Sequence, residues 1–241
     1  MTHRAEPTLL RYWLVMPAAG SGTRFGDPVP KQYAPLCGRT VIEWALAPFV
    51  SDPRCAGAVV AIAAADEHWR RIGLQLPAVE TVTGGARRSD SVRSGLRALT
   101  ARAHADDWVL VHDAARPCLT HADRDRLLEK LATHHLGGIL ACPQADTLKR
   151  AGEDHTVATT LDRTGLWRAL TPQMFRYAQL CAALDAALAA SHSPGDEAQA
   201  FEWLGEHPAL IEGSAVNLKI TNASDLALAE ALLAARRAPA S

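Results

Sequence analysis

Residues 12–33, YWLVMPAAGSGTRFGDPVPKQY, set a short apolar run directly before a glycine loop that carries two basic residues. The run from Tyr12 to Met16 is shorter than the apolar core of a signal peptide, and a glycine loop follows it where a cleavage site would stand, so it reads as a first strand. In the loop, Gly20 and Gly22 let the backbone turn tightly and bring N–H groups against an anion, while Arg24 and Lys31 add two positive charges. This is chemistry suited to a triphosphate. A dinucleotide-binding fingerprint needs a third glycine where Phe25 stands, and no GK[ST] follows to make a Walker loop. An ordinary glycine turn with solvated charges is the alternative that these residues alone leave open.

Outward from this loop, short apolar runs alternate with amphipathic stretches. The strands expected are Tyr12 to Met16, Ala58 to Ala63, Thr81 to Thr83, Trp108 to His112 and Gly138 to Cys142. Between them, Thr40 to Val50 puts Ile42, Ala45, Leu46 and Phe49 on one helical face, and Ser91 to Ala101 does the same with Val92, Leu96 and Leu99. The pattern predicts an α/β fold: a Rossmann-like, mostly parallel sheet with helices on both faces, in one domain over residues 1–241. Such sheets bind ligands at the carboxyl ends of their strands. After Cys142 the alternation stops, and residues 143–171 are too long for a plain loop, so a protruding hairpin or arm is expected there. Helical pattern returns at Phe175 to Ala190 and Glu197 to Leu204. Short strands are expected around Leu210 and Leu218, then a helix from Ser224 capped by Asn222 or Ser224.

Composition narrows the function classes. The 241 residues hold 25 basic and 26 acidic side chains, a net charge of −1, with no excess of positive charge to grip nucleic acid or an anionic membrane. No segment approaches the roughly 20 apolar residues of a membrane helix. The five cysteines, at 37, 55, 118, 142 and 181, form no CxxC pair and no zinc-site spacing, which suits reduced thiols and a cytoplasmic setting. His134 and His135 are adjacent, so on a helix they diverge and make a poor metal pair.

Two further segments carry polar residues at strand ends. In HDAARP, Asp113 falls just past a buried strand, where a carboxylate either helps hold Mg²⁺ against phosphate oxygens or serves as a turn acceptor. Arg116 is placed to reach a phosphate or to pair with Asp113. In GGARRSDSV, Gly84 and Gly85 admit a flat base against the backbone, and Ser91 offers a hydroxyl. The alternative is a glycine turn with Ser89 or Ser91 as N-cap.

The segments PAAGSGTRF and PKQY resemble the signature loop of the 2-C-methyl-D-erythritol 4-phosphate cytidylyltransferases. Further matches follow in family order: GGARRSDSVRSGL from Gly84, VLVHDAARPCL from Val109, DTLKR from Asp146, DRTGLWRALTPQMF from Asp162, DEAQAFEWLG from Asp196 and NLKIT from Asn217. The resemblance implies cytidylyl transfer from CTP to methylerythritol phosphate with Mg²⁺ or another divalent cation. It implies Arg24, Lys31, Arg163 and Lys219 as catalytic residues, with Arg163 and Lys219 orienting the acceptor phosphate. Pro17, Ala18, Ala19, Gly20, Ser21, Gly22 and Thr23 would bind the nucleotide, together with Gly84, Gly85, Arg88 and Ser91. Asp113, Ala114, Arg116, Thr147 and Thr171 would bind substrate, with Asp113 also the metal ligand. In related enzymes the arm crosses to a second subunit, so a homodimer is expected. With no second domain after the last helix, a single activity is expected.

One position departs from the pattern. Where the family usually carries a threonine that helps hold the acceptor phosphate, SPGDEA has Gly195. That keeps a related acceptor such as ribitol 5-phosphate in view. A nicotinamide-dependent dehydrogenase is disfavoured by Phe25 and the two basic loop residues. A non-catalytic nucleotide-binding protein is disfavoured by the joint presence of Arg24, Lys31, Asp113, Arg163 and Lys219.

Overall fold

The computed structural model describes residues 10–20, 29–72 and 79–237. Ser21, Gly22, Thr23 and Arg24 lie outside the described residues. The chain runs β1 (Tyr12–Pro17), a 3-10 turn at Lys31–Tyr33, β2 (Pro35–Leu36), β3 (Arg39–Thr40), α1 (Val41–Val50), β4 (Cys55–Ile62), β5 (Val79–Thr83), α2 (Arg88–Ala98) and β6 (Trp108–Val111). It continues through α3 (His121–Leu131), β7 (Gly137–Pro143), β8 (Leu148–Ala151), β9 (Val157–Leu161), β10 (Trp167–Arg176), α4 (Tyr177–Ala189), α5 (Glu197–Glu202), β11 (Ala209–Glu212) and α6 (Ala223–Arg237).

Among the described residues seven strands form one sheet in the order β11-β7-β10-β6-β1-β4-β5, with every pairing parallel except those of β10, which runs antiparallel between β7 and β6. Strand alternation sorts the core. Leu14 and Met16 of β1 face α1 and α3, meeting Ile42, Leu46, Phe49 and Leu127, while Val15 faces α2, α4 and α5, meeting Val92, Leu96 and Phe201. Both faces of the strands are therefore apolar, as a sheet covered on two sides requires. A smaller cluster packs α6 on the β2–β3 hairpin through Leu36, Cys118, Ile220 and Leu233.

Four expectations change. Residues 167–176 form a central strand rather than the end of an arm and the start of a helix. Leu170 and Thr171 are buried in the sheet, so the protruding part is the β8–β9 hairpin, a separate two-stranded sheet. Helix α3 has no counterpart in the periodicity reading, because its apolar residues Leu127, Leu128 and Leu131 fall only in its last turns; Thr120 caps it by accepting from the Asp123 N–H at 3.0 Å. Around Leu218 no strand forms: the stretch is irregular, held by Asn217, whose side-chain amide donates to the Thr171 carbonyl at 2.7 Å, and by the Ile220 N–H on the Ala115 carbonyl at 2.8 Å. Helix α2 begins at Arg88, with the Arg87 N–H donating to Asp90, so neither Ser89 nor Ser91 is its N-cap. Asn222 does cap α6, accepting from the Asp225 N–H at 3.1 Å.

Candidate active site

The strand order reverses between β1 and β6, and at the carboxyl ends of those two strands the chain leaves a cavity of about 360 Å³. Pro17, Ala18, Ala19 and Gly20 form one wall as they leave β1, with Gly85, Arg88 and Ser91 opposite; Lys31, Asp113, Ala114 and Lys219 complete it. Gln32 fixes the start of the glycine loop, since its amide donates to the carbonyls of Ala18 at 2.8 Å and Gly20 at 3.1 Å. Lys31 Nζ donates at 2.9 Å to the carbonyl of Ile220, the residue after Lys219, and both lysines line the cavity.

Gly84 and Gly85 are needed for close approach. A Cβ on Gly84 would lie 2.6 Å from that of Ala19 and 2.7 Å from Ser91 Oγ, and one on Gly85 would lie 2.3 Å from the Asp90 Cβ. The turn after β5 thus packs directly on Ala19, where the chain leaves β1. Ser91 Oγ accepts the Gly85 N–H at 3.1 Å, so its hydroxyl shapes this turn from inside α2.

Asp113 sits at the centre. Its N–H donates to Thr171 Oγ1 at 3.1 Å, and its carboxylate meets Arg88 Nε at 2.8 Å through Oδ1 and Lys219 Nζ at 2.8 Å through Oδ2. Arg116 Nε is 3.6 Å from Oδ2, close enough for charge attraction but too long for a hydrogen bond. Burial pushes the Asp113 carboxyl upward, but Arg88, Lys219 and Arg116 outweigh it and hold the group far below the usual carboxylate range. Asp113 is therefore ionised at neutral pH.

Thr171 does more than line a wall. It donates to, or accepts from, His112 Nδ1 at 2.9 Å, while His112 Nε2 lies 3.2 Å from the Arg116 carbonyl. Burial lowers the His112 imidazole to about 4, so the ring is neutral near pH 7. A neutral ring with Nε2–H donating to Arg116 leaves Nδ1 to accept the Thr171 hydroxyl proton, and Thr171 Oγ1 is then free to accept from Asp113.

A second cavity, of about 410 Å³, adjoins the first and shares Arg88, Asp113 and Lys219 with it. Arg116, Thr171, Gly195, Asp196 and Gln199 line its far side. Arg116 is anchored there by donating to the Asn217 carbonyl at 2.8 Å. The site is two adjoining chambers with one ionised carboxylate and its cations in the common wall.

A profile for 2-C-methyl-D-erythritol 4-phosphate cytidylyltransferase matches residues 12–235. The chain belongs to that family. The cytidylyltransferase of Halorhodospira halophila is 52% identical over 233 residues, covering 95% of this chain and 96% of the relative, and that of Pseudomonas aeruginosa is 53% identical over 219 residues, covering 89% and 93%. Among solved structures, a 4-diphosphocytidyl-2C-methyl-D-erythritol synthase superimposes with TM-score 0.82 at 37% identity, covering 93% of this chain and 99% of that one. The Francisella tularensis cytidylyltransferase gives TM-score 0.78 at 34% identity, covering 92% and 99%.

Within this cytidylyltransferase fold, the described residues Pro17 to Gly20, Lys31, Gly85, Arg88, Ser91, Asp113, Ala114, Arg116, Thr171 and Lys219 all border one or both chambers, with Gly84 packed just behind. Arg163 and Thr147 do not. Both are exposed on or beside the β8–β9 hairpin, outside the linings of the two chambers. Residues that the motif reading did not single out also contribute. Gln32 and Asn217 pin the loops, and Glu197 is a buried carboxylate bound to Arg88. Glu197 and Asn217 lie inside the recognisable DEAQAFEWLG and NLKIT segments, but nothing in those strings marks a charged residue at a helix start as buried.

Proposed function

We propose that the chain transfers the cytidylyl group of CTP to 2-C-methyl-D-erythritol 4-phosphate, releasing pyrophosphate and forming 4-diphosphocytidyl-2-C-methyl-D-erythritol. The observation that carries this reading is the pair of adjoining chambers whose common wall holds Asp113 between Arg88 and Lys219. The chamber lined by Pro17 to Gly20 and Lys31 suits the nucleotide. The one lined by Arg116, Thr171 and Gly195 suits the phosphorylated acceptor.

In this arrangement an acceptor phosphate oxygen attacks the α-phosphorus of CTP in line. The new P–O bond forms as the bond from the α-phosphorus to the bridging oxygen breaks, and its electron pair leaves on pyrophosphate. Charge spreads over the phosphoryl oxygens, so positioning and fixed positive charge carry the rate and no covalent enzyme intermediate is needed. Lys31 and Lys219 border the nucleotide chamber and can neutralise that charge. Arg24 is assigned the same task from the motif. Asp113 keeps the shared wall from becoming so cationic that Arg88, Lys219 and Arg116 repel one another.

Mg²⁺ fits as a partner of the phosphates. Among the described residues no group of three or more His, Cys, Asp or Glu side chains could hold a metal alone, and Glu197 lines neither chamber. Among the described residues Asp113 is the one carboxylate lining both chambers; a hard cation would replace Lys219 at its Oδ2 and share it with triphosphate oxygens, the usual manner for Mg²⁺. Bound there, the ion would neutralise phosphate charge.

The functional unit in this reading is a homodimer built through the arm. Arg163 and Thr147 are exposed away from their own chain's chambers, and Val157 (65% exposed) on the arm, with Leu166 and Trp167 at the start of β10 beside it, faces solvent. An arm that docks on a second copy covers those side chains and delivers Arg163 to the other acceptor chamber. The five free cysteines favour a reducing, cytoplasmic setting.

Pyrophosphate release with CTP and Mg²⁺ tests the reading. Release that requires methylerythritol phosphate, and fails with ATP, GTP or UTP, supports it. Faster release with ribitol 5-phosphate would instead assign the related polyol activity that Gly195 keeps in view.

A further inference from the structure

We propose that Glu197 is a positioning residue for the transfer, acting through Arg88 to hold Asp113 in the wall between the two chambers; the inference rests on the reaction proposed above. Glu197 opens α5 and is 1% exposed. It lines neither chamber. Its Oε1 accepts from Arg88 Nη1 at 2.6 Å and its Oε2 from Nη2 at 3.0 Å, while Arg88 Nε donates to Asp113 Oδ1 at 2.8 Å.

A guanidinium is a rigid planar fork, so two carboxylates on two of its edges fix its position and its plane together. With Glu197 in place, Arg88 presents a fixed donor to Oδ1 of Asp113, and Oδ2 is left to Lys219. Without that charge, Arg88 is a buried cation bordering both chambers, drawn toward whichever substrate phosphate enters. Asp113 then loses the partner that orients it.

Helix α5 has anchors besides this carboxylate. Gln173 of β10 accepts the Ala198 N–H at 3.0 Å and donates to Asp196 Oδ2 at 2.9 Å, and Phe201 stacks on Phe175 with ring centroids 4.4 Å apart. These contacts anchor α5 from its cap to its last turn. A buried carboxylate costs free energy that a neutral side chain of the same shape would avoid. Here the charge is matched by the Arg88 guanidinium that it holds.

The test is a double-mutant cycle on pyrophosphate release from CTP and methylerythritol phosphate, using Glu197→Gln, Arg88→Met and the double variant, with melting curves for all. Glutamine keeps the shape and one acceptor. We expect Glu197→Gln to lower kcat/KM by roughly 10- to 100-fold, the scale of a misplaced active-site group. Arg88→Met should cost at least as much, and the double variant should be within about twofold of Arg88→Met, because both changes remove one arrangement. Wild-type kinetics in Glu197→Gln, or losses that multiply in the double variant, would overturn the proposal, since a purely structural role multiplies independently. If Glu197→Gln does not fold, Glu197→Asp replaces it in the cycle. Aspartate keeps the charge but is one methylene too short to bind both Nη atoms, and the same non-additivity is expected. A wild type that releases no pyrophosphate would overturn the reaction itself, an outcome distinct from an active wild type that ignores the Glu197 change.

Discussion

Lys219 Nζ donates to Asp113 Oδ2 at 2.8 Å, joining the irregular stretch before α6 to the end of β6. The lysine is partly exposed, so the pair adds little to stability, on the order of 0–1 kcal/mol. Its main effect is to place a positive charge where the two chambers meet. Lys219→Ala should lower kcat by a factor on the order of 100 while the melting temperature hardly moves, the loss typical of one preorganised charge. Steady-state kinetics alongside thermal melts separate the two effects, and unchanged turnover would remove Lys219 from the chemistry.

Gly195 borders the second chamber and its N–H donates to Gln199 Oε1 at 2.8 Å. A Cβ placed there meets nothing closer than that same oxygen, at 3.6 Å. Gly195→Thr should therefore fold as the wild type does and add a hydroxyl to the acceptor chamber. One new hydrogen bond is worth about 1 kcal/mol, so the KM for methylerythritol phosphate should fall roughly fivefold. A KM that stays level or rises would mean the acceptor phosphate sits elsewhere.

A second cluster of charges lies at the opposite, amino ends of the strands and has a different job. Asp52 accepts from Tyr12 Oη at 3.0 Å and from Arg54 Nη2 at 2.9 Å, with Arg124 Nε at 3.3 Å, and Arg54 also bonds Asp125. Asp52→Asn should cost about 3 kcal/mol in urea unfolding by leaving buried cations underpaired, with kcat unchanged. Burial raises the Asp52 carboxyl, but Arg54, Tyr12 and Arg124 prevail and lower it. Because its folded value is depressed, its contribution is present above the unfolded value of about 3.9 and is lost as pH falls below it. The variant should accordingly lose less stability than the wild type on acidification below about pH 4.

The strand-and-helix alternation was legible because β1, β4 and β6 are buried on both faces and read as continuous apolar runs, and because Ile42, Ala45, Leu46 and Phe49 repeat at helical spacing. Strand β10 was not legible. Its exposed start, Trp167 to Ala169, pairs with β7 beside the arm, and its buried end carries Thr171, Pro172 and Gln173, polar or strand-breaking types whose burial depends on partners distant in sequence. The site divided in the same way. The glycine loop, Asp113 and Lys219 announce themselves by residue type and family motif. The clamp of Glu197 on Arg88 spans 109 residues and exists only once the sheet is assembled.

The arm gives a prediction about assembly. At concentrations on the order of 10 μM, light scattering should report a dimer, and Val157→Glu with Trp167→Glu should yield monomer by burying charge at the contact. Mixing Lys31→Ala with Arg163→Ala should restore activity, because one site of each mixed dimer then has both residues. A monomeric wild type, or no recovery on mixing, would contradict the shared site.

A crystal structure of the chain with CTP decides whether the chamber between Gly20 and Asp113 holds the nucleotide. The triphosphate is expected against Gly20, with Lys31 Nζ moved from the Ile220 carbonyl to within about 3.5 Å of a phosphate oxygen. CTP bound outside that chamber, with Lys31 still on Ile220, would contradict it.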